Sequence, residues 1–544
     1  MISVLKRGGH SHVRPEHFLI LGGGTAGWMA ALLFERAFPG SQITLVESSE
    51  VGTIGVGEGS TPALKAFFGA LGISEADWMP RCNATYKSGI RFTGWSGAPG
   101  FEGYFHPFLT HFDRDHIKAL EHNSKLRRAG VDVHAHPDLF CYSYYLADRR
   151  LCPATPRSFP FSVQYGYHFS AGLLAAYLRE VALARGVVCH DARISSVDQD
   201  ADGDVTHVTT NDGQVLAADF FVDCSGFASV IAKKALGAGW RSYGDALFND
   251  TAVTIATPRE PILSSQTTST ALRHGWAWRI PQQDRVGNGY VFSSKYCSPE
   301  DAERELRAHL GLGPEDGEAR TVPFKSGRLE TFWNRNTLAV GLSQGFLEPL
   351  EATALALVQL TLVRFVKAFG EGGGANAQAH LFNQEIAAAF DGVKDYIHTH
   401  FITSDRRDTP YWRDCAANGA AVSPRLRAVL ETWFAGGDLA ETLNAVGLDR
   451  HYKLNSWLYI LSGMGVYPPH ESLRPPRAEE LQAVPLDSIR GFFECCSLNH
   501  VEQARALENL AAGQPPMAGM AGGMTQAEAM ASLLGLGFAS SGHR

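Results

Sequence analysis

The chain has 544 residues, 45% hydrophobic and 19% charged, with a formal net charge of −8 when His is neutral. That length suits two to four domains, or one large domain with additions, and the composition is ordinary for a globular chain with a sizeable core. Negative charge without a basic stripe argues against nucleic acid as a partner. The most apolar long run, Ala354 to Val363, is too short to span a bilayer and ends at Arg364, so no membrane segment is expected.

At the N-terminus Lys6 and Arg7 precede Gly8, Gly9 and His10, not the apolar run of a signal peptide, and residues 1–16 are expected to form a disordered leader. HFLIL (His17 to Leu21) predicts a buried strand. Gly22-Gly23-Gly24-Thr25-Ala26-Gly27 follows it directly and opens an apolar helix from about Ala26 to Phe38; QITLVES (Gln42 to Ser48) is the next strand. Glycines in such a β-α-β opening let the backbone approach a pyrophosphate, which then sits on the free N–H groups of the helix. Glu47, 20 residues beyond Gly27, ends the second strand, where a carboxylate accepts from ribose hydroxyls. The pattern predicts dinucleotide binding. One such unit and no second one favours FAD over NAD, as does a late strand ending in Asp223-Cys224-Ser225-Gly226. The alternative for Asp223 is an acid capping a turn.

GVGEGSTP (Gly55 to Pro62) has three glycines in five residues. It fits close approach to a flat ligand and a plain surface turn equally well. ATYKSGIRF (Ala84 to Phe92) alternates, with Ile90 and Phe92 on one side and Lys87, Gly89 and Arg91 on the other, as a half-buried strand does. On that pattern alone Lys87 is a solvated lysine. DVTHVTTNDGQVLAADFFVDCSG predicts a hairpin around Asn211-Asp212-Gly213 leading into a buried strand. In GWAWRIP (Gly275 to Pro281), Trp276 and Trp278 share one face of a strand, as core residues or as the wall of a water-excluding site.

FLEPLEATALALVQ (Phe346 to Gln359) puts Pro349 where a helix starts and Glu351 in its first turn. There a carboxylate complements the helix dipole, or serves catalysis beside N–H groups able to hold an anion. A helix from Ala354 to Phe369, a glycine-rich loop from Gly370 to Asn376 and a longer helix follow, and a loose tail begins at about Ala511. Nine scattered cysteines, with Cys495 and Cys496 adjacent, show no metal-ligand spacing. Reduced thiols in a cytoplasm account for them, and no metal is expected.

The motifs together resemble the flavin-dependent halogenases of the tryptophan halogenase family, over roughly residues 17 to 470. They are the Gly22–Gly27 run, GVGEGSTP, ATYKSGIRF, YHFSA (Tyr167 to Ala171), DCSGF (Asp223 to Phe227), GWAWRIP, FKSGR (Phe324 to Arg328), GFLEPLEAT (Gly345 to Thr353) and DTPYWR (Asp408 to Arg413). The W-x-W-x-I-P segment is the most specific of them. The resemblance implies an α/β fold: an FAD-binding Rossmann-like domain with mixed sheets, plus a mainly helical C-terminal substrate-binding region. The expected division is a leader (1–16), an FAD-binding halogenase module (17–390), a helical substrate region (391–510) and a tail (511–544).

It further implies FAD, used as FADH2 and delivered by a separate flavin reductase. With O2 the reduced flavin would oxidise chloride or bromide to hypohalous acid. Lys87 would handle that acid and Glu351 would act beside it on an aromatic small-molecule substrate such as an indole. The implied cofactor set is Gly22, Gly24, Thr25, Ala26, Gly27, Glu47, Gly57, Ser60, Leu342 and Thr353. The halide site is implied at Thr353 and Ala354, and the substrate or tunnel set is His106, Pro107, Phe108, Trp276, Trp278 and Trp457. A monomer or homodimer is expected, with no nucleic-acid or membrane partner. The chain departs from the family in three places. Ala352-Thr353-Ala354 replaces Ser-Thr-Gly, Ser170 stands where many members have Asp, and LDRHYKLN (Leu448 to Asn455) lacks the Tyr-Tyr…Glu clamp of enzymes acting on free tryptophan. An aromatic monooxygenase and a non-catalytic FAD protein are the alternatives.

Overall fold

The computed structural model describes residues 14–50, 52, 57–108, 110, 113–156, 159–481 and 486–516. The expected leader as far as residue 13, Gly55 and Val56 of the second glycine motif, and the tail from 517 onward lie outside the described residues. Arg14 to Glu16 already belong to the fold: the Arg14 guanidinium donates to the Pro39 carbonyl and to Ser41 Oγ, and Gln42 N–H donates to Glu16 O.

The expected opening is present. His17–Leu21 pairs in parallel with Gln42–Glu47 on one side and with Phe220–Asp223 on the other. These are the centre of a six-stranded sheet. Phe18, Leu19 and Ile20 are wholly buried because both faces of a parallel sheet are covered. The helix Thr25–Ala37 lies on one face, and Phe18, Phe34, Phe38, Phe365 and Phe369 interlock there with ring centroids 4.8–5.8 Å apart. The predicted hairpin forms from Val205–Thr210 and Val215–Ala217 with Gly213 at φ +87°. Ile194–Gln199 adds a third strand to it.

A seven-stranded sheet holds GWAWRIP at its middle. Its edge carries Gly89–Thr93 paired with Gly103–Pro107. ATYKSGIRF is therefore two strands and not one. Thr85–Lys87 pairs with Gly166–Phe169 in a separate three-stranded sheet, and the chain changes sheet at Ser88, whose N–H donates to Ser265 O. The alternation runs unbroken through the switch, which is why the sequence shows a single strand. The same switch takes Lys87 off the polar face and buries it completely.

Ala354–Glu371 and Ala379–Ile402 are the two long helices, with Gly373 and Gly374 at positive φ in the turn between them. The expected division at 390/391 falls inside the second of these helices. Six shorter helices follow, from Pro410–Ala417 to Gln503–Ala511, besides the single turn Ala478–Leu481. Among the described residues no helix is long and apolar enough to cross a membrane.

A candidate active site around Lys87 and Glu351

Lys87 ends its strand with its whole side chain inside the protein. Its Nζ has no hydrogen-bond partner among the described residues and lies 5.4 Å from the centre of the Phe108 ring. Gly59 makes the room for it: a Cβ there would sit 3.1 Å from Nζ and 3.7 Å from both Ala352 Cβ and His168 Cδ2. Burial pulls the Lys87 pKa from 10.5 down to about 7, and the charge of Glu351 opposes that shift without cancelling it. A fully buried lysine poised near neutrality is unusual in a purely structural role.

Glu351 is buried in the one-turn 3₁₀ segment Pro349–Glu351. It was expected in the first turn of the long helix. Ala352 adopts φ +55°, a left-handed conformation that ends the proline-initiated turn, and the α-helix starts afresh at Ala354. The carboxylate is held from both sides. His106 Nδ1 hydrogen-bonds Oε2 at 2.8 Å, and His400 Nε2 is 3.0 Å from Oε1, an ion-pair distance without hydrogen-bond alignment. Burial pushes the carboxyl pKa up, but the His106 and His400 contacts outweigh it and hold it down at about 2. His106 arrives on Gly103–Pro107, and Gly89 lets that strand in: a Cβ on Gly89 would meet His106 O at 2.3 Å. Pro107 ends the same strand.

Sequence reasoning missed His400, Tyr396 and Tyr452. His400 and Tyr396 lie four apart on the buried face of Ala379–Ile402, and that spacing was their only signal. The Tyr396 OH is 3.5 Å from His106 Nε2. Trp457, expected in the substrate region, stands edge-on to Tyr396 with centroids 5.1 Å apart. Tyr452 stacks on Tyr396 at 3.6 Å.

Trp276 and Trp278 do share one face, with ring centroids 6.1 Å apart. Trp278 lies flat on Gly289, where a Cβ would come within 2.2 Å of Cζ2.

The glycine run forms a cradle suited to a dinucleotide. Gly22 has φ +115°, and a Cβ on it would meet Cys224 O at 2.2 Å, so only glycine fits. Gly24 caps the helix Thr25–Ala37 with no side-chain hydrogen bond, and no protein atom lies within 4 Å of where its Cβ would be. Gly24 therefore leaves that helix N-terminus without a capping side chain, and such an end suits a pyrophosphate. Thr25 and Ala26 form its first turn, and Gly27 packs against Gly22 O at a distance that admits no Cβ. Glu47 folds over Gly23 and accepts from Arg179 Nε at 2.9 Å. Gly57 has φ +96° and no room for a side chain beside Gln282. The Ser60 hydroxyl accepts from Tyr167 N–H and the Ser60 N–H donates to Tyr167 O at 2.8 Å, so side chain and backbone both brace a strand. Leu342 lies in the 3₁₀ turn Gly341–Ser343, whose Gly341 touches Ala26. Asp223 accepts from the N–H groups of Ser225, Ile231 and Ala232 and from the hydroxyls of Ser225 and Ser343. It caps the turns after its strand. Thr353 and Ala354 open the helix Ala354–Glu371, whose N-terminus no side chain caps. Among the described residues no cluster of His, Cys, Asp and Glu could hold a metal ion.

The tryptophan halogenase family model matches residues 17–476. The tryptophan 6-halogenase SttH of Streptomyces toxytricini is 34% identical over 85% of this chain and 91% of its own length. Xcc4156, a flavin-dependent halogenase from Xanthomonas campestris, superposes with TM-score 0.78 at 31% identity, covering 92% of this chain and 99% of that one. BrvH, a flavin-dependent halogenase from Brevundimonas sp. BAL3, gives 0.76 at 32% identity over 91% and 99%.

Proposed function

The chain belongs to the tryptophan halogenase family and is an FADH2-dependent halogenase, and we propose that Lys87 and Glu351 are its catalytic pair and a neutral indole its substrate. One observation carries the assignment of the pair: a fully buried amine with no hydrogen-bond partner among the described residues, within the field of a carboxylate that His106 and His400 contact.

Reduced FAD, once bound in the glycine cradle, supplies with O2 the oxidation of chloride or bromide to hypohalous acid. The backbone amides at Thr353 and Ala354 hold the halide, since Thr353 makes no side-chain cap hydrogen bond at that helix N-terminus. Trp276 and Trp278 wall off water and keep the aromatic substrate from the flavin. Lys87 Nζ has no partner among the described residues to give up, so it can bind hypohalous acid at once and orient its halogen toward the ring. Glu351, kept ionised by His106 and His400, accepts the proton that the ring loses as aromaticity returns. His106, Phe108 and Trp457 line the substrate's side of the site.

The substrate class follows from the C-terminal helices. In Leu448–Asn455 the charged pair Asp449 and Lys453 face each other at 3.7 Å near the surface, and Tyr452 turns inward onto Tyr396. No charged side chain of this stretch is buried, since Arg450 is exposed and Asp449 and Lys453 pair with each other. Stripping their water uncompensated costs several kcal/mol. Indole or a larger indole-bearing molecule is therefore preferred to free tryptophan, with bromide, the more easily oxidised halide, reacting faster than chloride. A monomer or homodimer completes the reading, and nine unpaired cysteines support placing it in the cytoplasm.

The test combines the chain with FAD, NADH, bromide or chloride and an equal mixture of indole and L-tryptophan, with and without a separate flavin reductase. Mass spectrometry is expected to show the halogen isotope pattern on indole first. NADH consumption is expected to be negligible until the reductase is added. Rapid NADH oxidation by this chain alone would favour a monooxygenase, and preferential single-site modification of tryptophan would overturn the substrate reading.

A further inference from the structure

DTPYWR matches a family motif, yet none of its side chains reaches Lys87 or Glu351. Its tyrosine leads elsewhere. The Tyr411 hydroxyl donates to Asn249 Oδ1 at 2.9 Å, and Asn249 Nδ2 donates to Glu348 Oε2 at 2.8 Å. The same carboxylate oxygen accepts from Trp276 Nε1 at 2.7 Å. All four side chains are buried, Glu348 and Tyr411 wholly so, and no Lys, Arg or His pairs with Glu348 among the described residues. Its second oxygen, Oε1, has no hydrogen-bond partner there. Burial lifts its pKa to about 7, against the pull of Trp276 and Asn249.

A carboxylate buried without a cation is costly, and apolar packing would be cheaper. What Glu348 offers in return is direction. Its acceptor fixes the indole of Trp276, while its backbone carbonyl accepts from Leu350 N–H in the turn that presents Glu351. One residue thus ties the tryptophan wall to the catalytic turn. Trp278 has no such tie: its Nε1 finds no hydrogen-bond partner among the described residues, and its ring packs on Gly289.

We propose that Glu348 is a positioning residue that orients Trp276, braced through Asn249 by Tyr411, and so keeps hypohalous acid from being lost before it reaches Lys87. This rests on the halogenase reading above.

The test compares Glu348→Leu, Glu348→Gln, Trp276→Phe and the double variant Glu348→Gln/Trp276→Phe in the full-length chain. Two quantities are read: halogenated product per NADH consumed with a reductase present, and the indole 15N–1H signal of Trp276, assigned by its absence from Trp276→Phe. Glu348→Leu leaves the indole N–H without an acceptor. It is expected to shift the Trp276 signal upfield and to cut product per NADH about 10-fold, the lost equivalents emerging as free hypohalous acid in solution. Glu348→Gln, whose amide oxygen still accepts, is expected to restore both to within about 2-fold of wild type. A product yield that Glu348→Gln cuts well beyond 2-fold, and by as much in the Trp276→Phe background as in the parent, would overturn the proposal, and this comparison stands even where the leucine variant does not fold. An unmoved Trp276 signal in a folded Glu348→Leu would overturn it too. That signal does not depend on halogenation, so failure of this inference and failure of the functional reading are distinguishable.

Discussion

Replacing Lys87 with methionine is expected to abolish halogenated product while reduced flavin is still consumed by O2, and to make the protein more stable. The two effects have one cause. The amine is fully buried, finds no hydrogen-bond partner among the described residues, and has its pKa lowered from 10.5 to about 7 chiefly by burial. Between pH 7 and 10.5 the unfolded chain carries a proton on this lysine that the folded chain lacks. The penalty of burying Lys87 is therefore fully present below pH 7 and fades as pH rises toward 10.5. Methionine fills similar space without charge, so its stabilising effect is expected to be about 1–4 kcal/mol below pH 7, the range for replacing buried charge by packed apolar groups, and to vanish near pH 10.5. Denaturant unfolding at several pH values measures this, and mass spectrometry measures product. Wild-type product formation by the variant would remove Lys87 from catalysis. Lost activity together with lost stability would make the lysine structural.

What could be read in the chain, and what could not, divides by range. The strand His17–Leu21, the glycine cradle and the helix Thr25–Ala37 are local patterns, and each stands within a residue or so of where the sequence puts it. The paired tryptophans share a face because strand period alone requires it. The change of sheet at Ser88 was invisible, since alternation continues across it and only the pairing partners differ. The left-handed Ala352 was equally hidden: nothing in Leu-Glu-Ala-Thr demands positive φ, and the tertiary frame imposes it. The histidine grip on Glu351 joins segments 245 residues apart in one contact. No periodicity encodes a meeting of that kind. The same holds for Glu348, which reads as one more acid in a proline turn until Trp276 and Asn249 are found on it.

For Glu351→Gln a fall in turnover of about 10²-fold or more is expected, the range for a positioned acid–base group. The amide keeps the volume but cannot take the ring proton. It also faces His106 Nδ1 and His400 Nε2 with one acceptor where the carboxylate has two. Glu351 has its pKa lowered from 4.5 to about 2 by those histidines against burial, so its contribution to stability is present above pH 4.5 and is lost as pH falls toward 2. The variant is accordingly expected to melt below wild type at neutral pH, with the gap closing under acid. A second consequence reaches Lys87. Glu351 is the charge that holds the lysine's pKa up against burial, so without it that pKa falls further below 7. Lys87 then spends more of its time as the neutral amine at pH 7, and an ionisation in the pH profile of residual activity moves to lower pH. A purely capping carboxylate would show the stability change alone, with turnover and profile untouched, and that result would return Glu351 to the role of a buried structural acid.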